Sequence, residues 1–433
     1  MLIRRTTLLD GTVADVRLTT RIDAVGRGLT AADGEQVLDA AGGTLLPGLH
    51  DHHVHVHAAA RSLRSLPCGP PSLLTKDELA QALLTTKPDS DGWIRGVGYH
   101  ESVAGELCRA ELDILAPAVP VRIQHRSGAL WILNSAALRQ IGRSDHVDGR
   151  LRSADDDWSD ALRRNDSGLP ELGRRLTSCG VTGVTDATPD LDASSRASLV
   201  QAHRDGRFAP RLSFLSPGKK ILYDDRLDVD ELARWITDRH AAACPVAVHC
   251  VTAAQLVVTI AALRAAGTDP RDRIEHAAVV PDDTLADLAE LRVTVVTQPN
   301  FVAERGDQYL TDVPATEHAE LWRVASLMDA GVPVAFSTDT PFGAGDPWAA
   351  MRAAVHRTTG GGAVLGRGER VSGSTALAMF LGDHEQPGRA RDVRVGRPAD
   401  LCLLTEPPAA ALATLDAGMV AATIVGGEIV YPA

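Results

Sequence analysis

The sequence has few aromatic residues, no long hydrophobic run and no closely spaced cysteines. Phe, Trp and Tyr make up only 4% of the 433 residues, so the composition gives no support for an aromatic-lined pocket. The six cysteines are scattered without a CxxC spacing, which argues against a disulfide framework and a thiolate zinc site. No apolar run approaches a membrane span, and the start of the chain soon becomes polar, so we expect a cytoplasmic protein.

Positive charge is also in short supply. The chain has 44 basic and 56 acidic residues, a formal net charge of −12 at pH 7, which argues against nucleic acid and anionic membranes as partners. The remaining composition, 44% hydrophobic and 23% charged, is that of a globular protein. A small molecule is therefore the expected partner, and self-association into a homo-oligomer stays open.

From about residue 170 onward, short β-branched runs alternate with helical patterns. This alternation predicts an α/β fold with a parallel sheet, most simply a closed (β/α)8 TIM-like barrel over 47–387. One predicted helix follows His249, with Leu256, Ile260 and Leu263 on one face, and another covers 315–331. Residues 301–318 are expected to contribute a specificity loop.

The two ends of the chain and one internal stretch do not fit the barrel pattern. Residues 1–46 and 388–433 resemble short strands separated by Gly and Asp turns, and neither set could bury a core alone. We therefore predict that both termini form one small β-sandwich domain. The stretch of about 62–165 is too long for a single loop and predicts an inserted subdomain after the first barrel strand.

Five of the 15 histidines lie within residues 50–57 of the stretch LLPGLHDHHVHVHAAA. Because side chains alternate faces along a strand, His53 and His55 should share a face and reach one cation. The same alternation places Asp51 and His57 on that face, and His50 and His52 on the other.

Three later residues, His249, His276 and Asp339, each end a predicted strand. They are separated by 27 and 63 residues, about one and two strand–helix units. The carboxyl ends of barrel strands converge on one mouth, so these residues can complete a metal site there.

The segment PGLHDHHVHV resembles the PG-[FL]-x-D-x-H-x-H opening of the metal-dependent amidohydrolase superfamily. WIRGVGYHE (93–101), NSAAL (134–138), PFGAGDPWAAM (341–351) and GRPADL (396–401) are similar to its amidohydrolase-3 branch, which includes N-substituted formamide deformylase-like proteins. This resemblance covers nearly the whole chain. It implies the following metal ligands: His53, His55, His249, His276 and Asp339.

The resemblance also implies a lysine that is carboxylated by CO2 and bridges two metal ions. The candidate is Lys220 in SPGKKILYDD, and Lys219 is its immediate neighbour. The two apolar runs 211–215 and 219–223 are only three residues apart, too few for a crossover between neighbouring parallel strands. Either one long broken strand carries the lysine, or the insertion supplies a strand.

The resulting prediction is a metal-dependent hydrolase that cleaves a C–N bond in an amide, formamide, cyclic amide or carbamate-like small molecule. Zinc is the expected metal, as one or two ions, with Fe, Mn and Co as alternatives. Asp339 is the predicted catalytic proton shuttle. The alternatives are a mononuclear aromatic-base deaminase, whose Glu three residues after the fifth-strand His is Thr252 here, and a non-catalytic scaffold relative.

Further residues are expected around the metal. Asp51 is expected to orient a ligand imidazole, and His57 to lie one step further out on the ligand face. Glu275 is expected to point away from the mouth. His125, Trp131 and Asn300 are among the candidates for the substrate pocket.

Overall fold

The structure is a computed structural model, and it describes residues 1–70, 72–89, 91–116, 119–128, 130–152 and 168–432. The chain divides into two compact units, a first unit of Met1–Val56 with Leu172–Ala433 and a second unit of His57–Glu171. The predicted insertion boundaries, about 62–165, stay a prediction, and residues 153–165 lie outside the described residues.

The first unit is built around parallel strands, which confirms the predicted α/β class. One sheet has the order β13-β12-β6 and another the order β14-β15-β16-β17-β18, with parallel pairing throughout. Their bounds are β6 Leu49–Val54, β12 Val181–Asp186, β13 Arg211–Phe214, β14 Lys219–Ile221, β15 Ala247–Cys250, β16 Arg273–His276, β17 Thr294–Thr297 and β18 Val334–Phe336. Backbone hydrogen bonds from Asp339 N to His53 O and from His55 N to Thr340 O join the ends of β18 and β6.

The short segments β13 and β14 are successive parts of one broken strand. Only residues 215–218 separate them, β13 pairs with β12, and β14 pairs with β15. This is the first of the two arrangements that the sequence left open. Counted once, the broken strand is one of seven strands in this parallel arrangement within the described residues, where the sequence predicted eight.

The helices of the described residues are mostly short. Their bounds are α1 Val56–Ser62, α2 Lys76–Thr85, α3 Glu101–Ala104, α4 Arg109–Leu115, α5 Ser135–Gln140, α6 Leu169–Ser178, α7 Ala193–Arg204, α8 Val229–Ala241, α9 Ala253–Ala266, α10 Leu285–Leu291, α11 Asn300–Asp312, α12 Ala325–Asp329, α13 Pro347–His356, α14 Gly373–Ala378 and α15 Pro408–Thr414. Among the described residues, none of these helices has the length and apolar character needed to cross a membrane.

Helix α9 is formed as predicted. The Thr252 hydroxyl accepts a hydrogen bond from the Gln255 amide and so caps the first turn, while Leu256, Ile260 and Leu263 are buried on one face. The helix ends at Gly267, whose φ of 81° is readily adopted only by glycine.

The stretch between β17 and β18 differs from the prediction. Much of the expected loop 301–318 is helix α11, and the expected helix 315–331 is reduced to a 3-10 segment, Ala315–Glu320, and the five residues of α12. The helical pattern of 315–331 is interrupted because Leu321 and Trp322 turn inward to join an apolar cluster beside α11.

The N-terminal and C-terminal segments together form two four-stranded sheets in the first unit. One has the order β3-β2-β1-β4 and the other β21-β20-β19-β5. Their bounds are β1 Leu2–Thr7, β2 Val13–Leu18, β3 Ile22–Gly26, β4 Val37–Asp39, β5 Leu45–Pro47, β19 Leu401–Leu404, β20 Val420–Val425 and β21 Glu428–Tyr431. Ile3 and Val16 share one buried cluster with Leu401 and Ile424, so each terminus completes a core that the other begins.

The second unit contains a five-stranded sheet with the order β11-β10-β9-β8-β7. The strands are β7 Leu66–Pro67, β8 Ile94–Tyr99, β9 Val121–His125, β10 Leu130–Leu133 and β11 Arg150–Arg152. One face buries Val121 and Ile123 against Leu79 and Leu83 of α2 and Leu112 of α4. Strands β8 and β9 thus lie within the stretch that the sequence predicts as an insertion.

Candidate metal centre

Three side chains from the predicted ligand set converge at the end of β6. The Nε2 atoms of His53 and His55 lie 3.6 and 3.5 Å from Oδ1 of Asp339. All three ligand atoms lie within 4.8 Å of one another, in an arrangement that could hold a metal ion. Two atoms that are each about 2.1 Å from one tetrahedral ion are roughly 3.5 Å apart, which matches these separations.

The two later histidines lie beside this group. The ring centroid of His276 is 4.8 Å from that of His53 and 4.4 Å from that of His249. His276 and Asp339 have left-handed backbones, with φ of 70° and 54°. Such conformations cost energy for residues other than glycine and cluster at functional sites. The strand ends thus bring together all four predicted histidine ligands and the aspartate.

The lysine that lies beside this cluster is Lys219, the neighbour of the predicted Lys220. In the parallel pairing of β14 with β15, Lys219 is opposite Ala247 and Ile221 is opposite His249, so Lys219 lies on the face of His249. The charge of Lys219 adds to burial in lowering the pKa of His249 to about 3. Lys220 lies on the other face, with its Nζ atom 5.7 Å from the ring centroid of Trp235 on α8.

Glu275 orients the imidazole of His53, a role that the sequence did not predict. Its Oε2 atom accepts a hydrogen bond from His53 Nδ1, and the Arg273 Nε atom donates to its Oε1 at 2.7 Å. The sequence predicted that Glu275 points away from the mouth of the barrel. Glu275 contacts His53 instead, because it shares a face of β16 with Arg273. The next residue, His276, has a left-handed backbone and turns back toward the cluster. A carboxylate on Nδ1 leaves the Nε2 lone pair free for a metal.

Gln298 orients His276 in a similar way. The His276 Nδ1–H donates to Gln298 Oε1 at 2.8 Å, and Gln298 Nε2 donates to Ser337 Oγ at 2.8 Å. These bonds settle the direction of the amide and leave the Nε2 lone pair of His276 free. No sequence signal marks this residue, apart from its place one position after β17.

Burial dominates the electrostatics of the cluster. It lowers the pKa of His55 to about 3, and the pKa values of His53 and His276 fall well below 6.5, so these imidazoles are neutral at pH 7. Burial raises the pKa of Asp339 to about 8, against the opposing effects of Lys219 and Arg305. It lowers the pKa of Lys219 to about 8.

A divalent cation fits this donor set. Within the described residues, Oδ1 of Asp339 and Nζ of Lys219 are buried without a hydrogen-bond partner. Burying polar groups without partners costs desolvation free energy. A cation bound between the neutral imidazoles and the carboxylate would offset this free energy. The observed polar atoms therefore support a metal site at this position.

Two of the other predicted residues lie next to the cluster and contact Thr338. Asp51 accepts hydrogen bonds from Thr338 N at 3.0 Å and from Thr338 Oγ1 at 2.5 Å. It orients the chain before Asp339, and not an imidazole as predicted. Asn300 is buried, and its Nδ2 atom donates to Thr338 O and Glu304 Oε1, both at 3.1 Å.

The remaining three predicted residues belong to the second unit. His57 lies in helix α1, because β6 ends at Val54 and the strand alternation does not extend to it. His125 ends β9 and contacts Glu101 Oε2 at 3.0 Å, and the Trp131 ring lies on β10 beside Arg122. Their predicted roles in the substrate pocket stay predictions.

Phe342 is a residue beside the metal ligands that the sequence did not single out. Its ring meets the His55 ring edge to face at a centroid distance of 5.1 Å. Helix α11 holds this loop, since Arg305 donates to the Phe342 carbonyl and Ala344 N donates to Glu304 Oε1 at 3.0 Å. The half-buried ring gives the site one apolar wall.

Together, the α/β fold and this centre at the strand ends are those of a metal-dependent hydrolase. The model of the amidohydrolase family, amidohydrolase 3, matches residues 36–170 and 213–431, and the chain belongs to this family. The predicted family and branch are thereby confirmed, and the chain is a hydrolase of carbon–nitrogen bonds other than peptide bonds.

The relatives agree with this assignment. The chain is 27% identical to the N-substituted formamide deformylase of Arthrobacter pascens, over 92% of this chain and 89% of the relative. An uncharacterized metal-dependent hydrolase from Pyrococcus furiosus has a similar fold, with a TM-score of 0.70, 20% identity, and coverage of 94% of this chain and 99% of that one. The atrazine chlorohydrolase of Arthrobacter aurescens complexed with zinc has a TM-score of 0.59 and 15% identity, over 99% and 94% of the two chains.

Proposed function

We propose that the protein hydrolyses the amide C–N bond of an N-substituted formamide or a closely related small amide. The observation that carries this proposal is the convergence of His53, His55 and Asp339, with Lys219 on the same face as His249. Similarity to an N-substituted formamide deformylase over most of both chains supports formamides as the first substrates to test. Cyclic amides and carbamate-like molecules are the next classes.

The seven parallel strands are proposed to form a closed barrel with the reaction at their carboxyl ends. The hydrogen bonds between the ends of β18 and β6, together with the broken strand β13–β14, support a circular strand order. Enzymes with parallel barrels place their active sites at this end. The small β-sandwich from both termini belongs to the same proposal.

The proposed metal ligands are His53, His55, His249, His276 and Asp339, with zinc as the metal because imidazole and carboxylate suit it. A bound divalent metal lowers the pKa of a coordinated water toward neutrality and polarises the scissile carbonyl. Glu275 and Gln298 hold the Nδ1 atoms of His53 and His276, which keeps Nε2 of each available.

Asp339 is the proposed proton shuttle. Its carboxylate takes the proton of the attacking water and returns it to the departing nitrogen as the C–N bond breaks, so that water yields a carboxylic acid and an amine. Burial of the carboxylate excludes bulk water as a competing proton source. The adjacent Phe342 ring supplies an apolar wall on the His55 side.

Lys219 is the proposed carboxylated lysine, in place of Lys220. Its Nζ atom, as the free amine, would form an N–C bond with CO2 and release a proton, and the two oxygens of the resulting carbamate would then be available as metal ligands. The lowered pKa of Lys219, caused mainly by burial, favours the free amine near pH 8.

The deaminase alternative lacks its acidic residue. Thr252, at the position where such deaminases carry a Glu, caps helix α9, and its hydroxyl donates to Asp224 Oδ1 at 2.9 Å. A non-catalytic role is disfavoured because the four predicted histidine ligands and the aspartate converge. Both alternatives predict no formate or carboxylic acid release from amides.

The test is an assay of formate and amine release from N-alkyl and N-aryl formamides by the metal-loaded protein. Matched acetamides, cyclic amides and carbamates define the range, and chelator-treated protein is the control. Turnover that disappears with the metal supports the proposal. Absence of hydrolysis of all these classes by fully metal-loaded protein would contradict it.

Asp339→Asn tests the shuttle separately from metal binding. The histidines should retain metal, while turnover falls by about 10²–10⁴-fold because proton transfer is lost. Metal content and kcat are measured on the same preparation. Turnover within about threefold of wild type at full metal occupancy would assign the shuttle to another residue.

A further inference from the structure

Arg122, in the second unit, carries a buried positive charge without a counterion. It lies in the middle of strand β9, and only 8% of the residue is exposed. Among the described residues, its Nε atom is buried without a hydrogen-bond partner, and no carboxylate forms an ion pair with its guanidinium. Arginine does not give up its proton in proteins, so this charge requires compensation from another source.

The neighbours of Arg122 increase the positive potential. Arg95 on β8 is directly opposite Arg122 in the parallel register, on the same face of the sheet. After burial, Arg95 and Arg61 are the causes that lower the pKa of Arg122, to about 9. Arg95 is itself compensated, because it forms ion pairs with Asp89 and Asp91. The surplus charge therefore belongs to Arg122.

The rest of this sheet face is apolar and amide-bearing. The guanidinium carbon of Arg122 lies 5.0 Å from the ring centroid of Trp131 on β10, within the distance of a cation–π contact. Leu133 pairs with Arg122, and Gln124 pairs with Trp131, on the same face. The N–H groups of a guanidinium lie in its plane, where they can donate to a planar oxyanion.

We propose that this face of the second unit binds a small oxyanion, a carboxylate or phosphate group, with the guanidinium of Arg122 as its ligand. The oxygens of such a group accept paired hydrogen bonds from a guanidinium fork. This site is independent of the reaction proposed at the metal centre.

The test uses the full-length, metal-loaded protein and its thermal unfolding in the presence of inorganic phosphate or acetate. Each anion is titrated separately at constant ionic strength. Arg122→Met removes the charge at similar volume. Lys76→Met is the matched control, because Lys76 is on the same unit, is 55% exposed and pairs with Glu111 on the surface.

The expected result is a saturable rise in Tm of about 1–3 °C for wild type and Lys76→Met, and no such rise for Arg122→Met. Any effect of the anions on the metal centre is common to all three proteins and cancels in the comparison. A response to phosphate alone identifies a phosphate group as the ligand, and a response to acetate as well identifies a carboxylate. Equal Tm shifts in Arg122→Met and Lys76→Met, or no saturable Tm shift in wild type, would show that Arg122 does not bind an anion.

Arg122→Lys keeps the proposal testable where Arg122→Met does not fold. Lysine retains the charge and loses the paired N–H groups, so the Kd for the anion, measured by isothermal titration calorimetry, should rise at least about tenfold. An unchanged Kd in this variant would show that the anion does not use the guanidinium of Arg122.

Discussion

At the scale of single residues, Lys219 and Lys220 are adjacent in the sequence and lie in opposite environments. Lys219 is 5% exposed beside the histidine cluster, while Lys220 stacks over Trp235. We expect Lys219→Ala to bind at most one metal ion per chain and to lose most activity, because the bridging group is gone. Lys220→Ala is the matched control and should retain both its metal content and its activity. Metal content per chain is measured together with turnover.

Short carboxylic acids provide a second readout for Lys219→Ala. They can enter the space left by the side chain and stand in for the carbamate, so activity should be partly restored. Lys220→Ala should show no such response. Loss of metal in Lys220→Ala with full metal in Lys219→Ala would reverse our assignment of the bridging lysine.

The lowered pKa of Lys219 makes loading of the metal-free protein depend on pH. CO2 reacts with the free amine, which is the minority form below a pKa of about 8 and the majority form above it. At constant dissolved CO2, metal uptake should therefore increase from pH 6.5 to 8.5. His55 and His249, with pKa values of about 3, do not change protonation in this range.

Lys219→Ala is the control for this pH dependence, because it removes the amine and retains Asp339, whose pKa is also raised by burial. The part of the uptake that requires CO2 should be absent in this variant. An equal requirement for CO2 in both proteins would exclude the carbamate.

At the scale of elements, strand β16 supplies both a proposed metal ligand, His276, and the residue that orients a second one, His53. Glu275 is 0% exposed and contacts His53 Nδ1 and Arg273, while His276 follows it with a left-handed backbone. Two consecutive residues of one strand can face the same site only because the backbone leaves the β conformation at His276. This local strain is maintained by the packing around it.

Glu275→Gln should weaken metal affinity by about 10–100-fold while the fold is retained. The amide can still contact His53, but it removes the negative charge that favours the Nδ1–H form and leaves Arg273 uncompensated. Competition with a chromogenic chelator measures the affinity, and circular dichroism checks the fold. An affinity equal to that of wild type would mean that Glu275 has only a packing role.

At the scale of the whole molecule, the two chain ends are joined through one hydrophobic core. Leu401 is 1% exposed in a cluster with Ile3, Val16 and Ile424. Leu401→Ala should lower the free energy of unfolding of the first unit by about 2–5 kcal/mol, because it removes packing and leaves a cavity. Val395→Ala, at a side chain that is 60% exposed, is the control and should change it by less than about 0.5 kcal/mol.

Thermal unfolding measures this effect, and metal content of the folded protein is followed in parallel. We expect Leu401→Ala to keep its metal per folded chain, since the cluster does not include a proposed ligand. Equal stability of the two variants would show that the termini do not depend on a shared core.

The sequence alone determined the α/β class, the family, and the proposed ligands His53, His55, His249, His276 and Asp339. His249, His276 and Asp339 are readable because each ends a short apolar run, and His53 and His55 are readable because five histidines lie within residues 50–57. Tertiary structure decided which lysine reaches the cluster and that Glu275 faces it. A three-residue strand has no periodicity to reveal its inward face, and the left-handed turn at His276 is imposed by contacts with residues far away in the sequence.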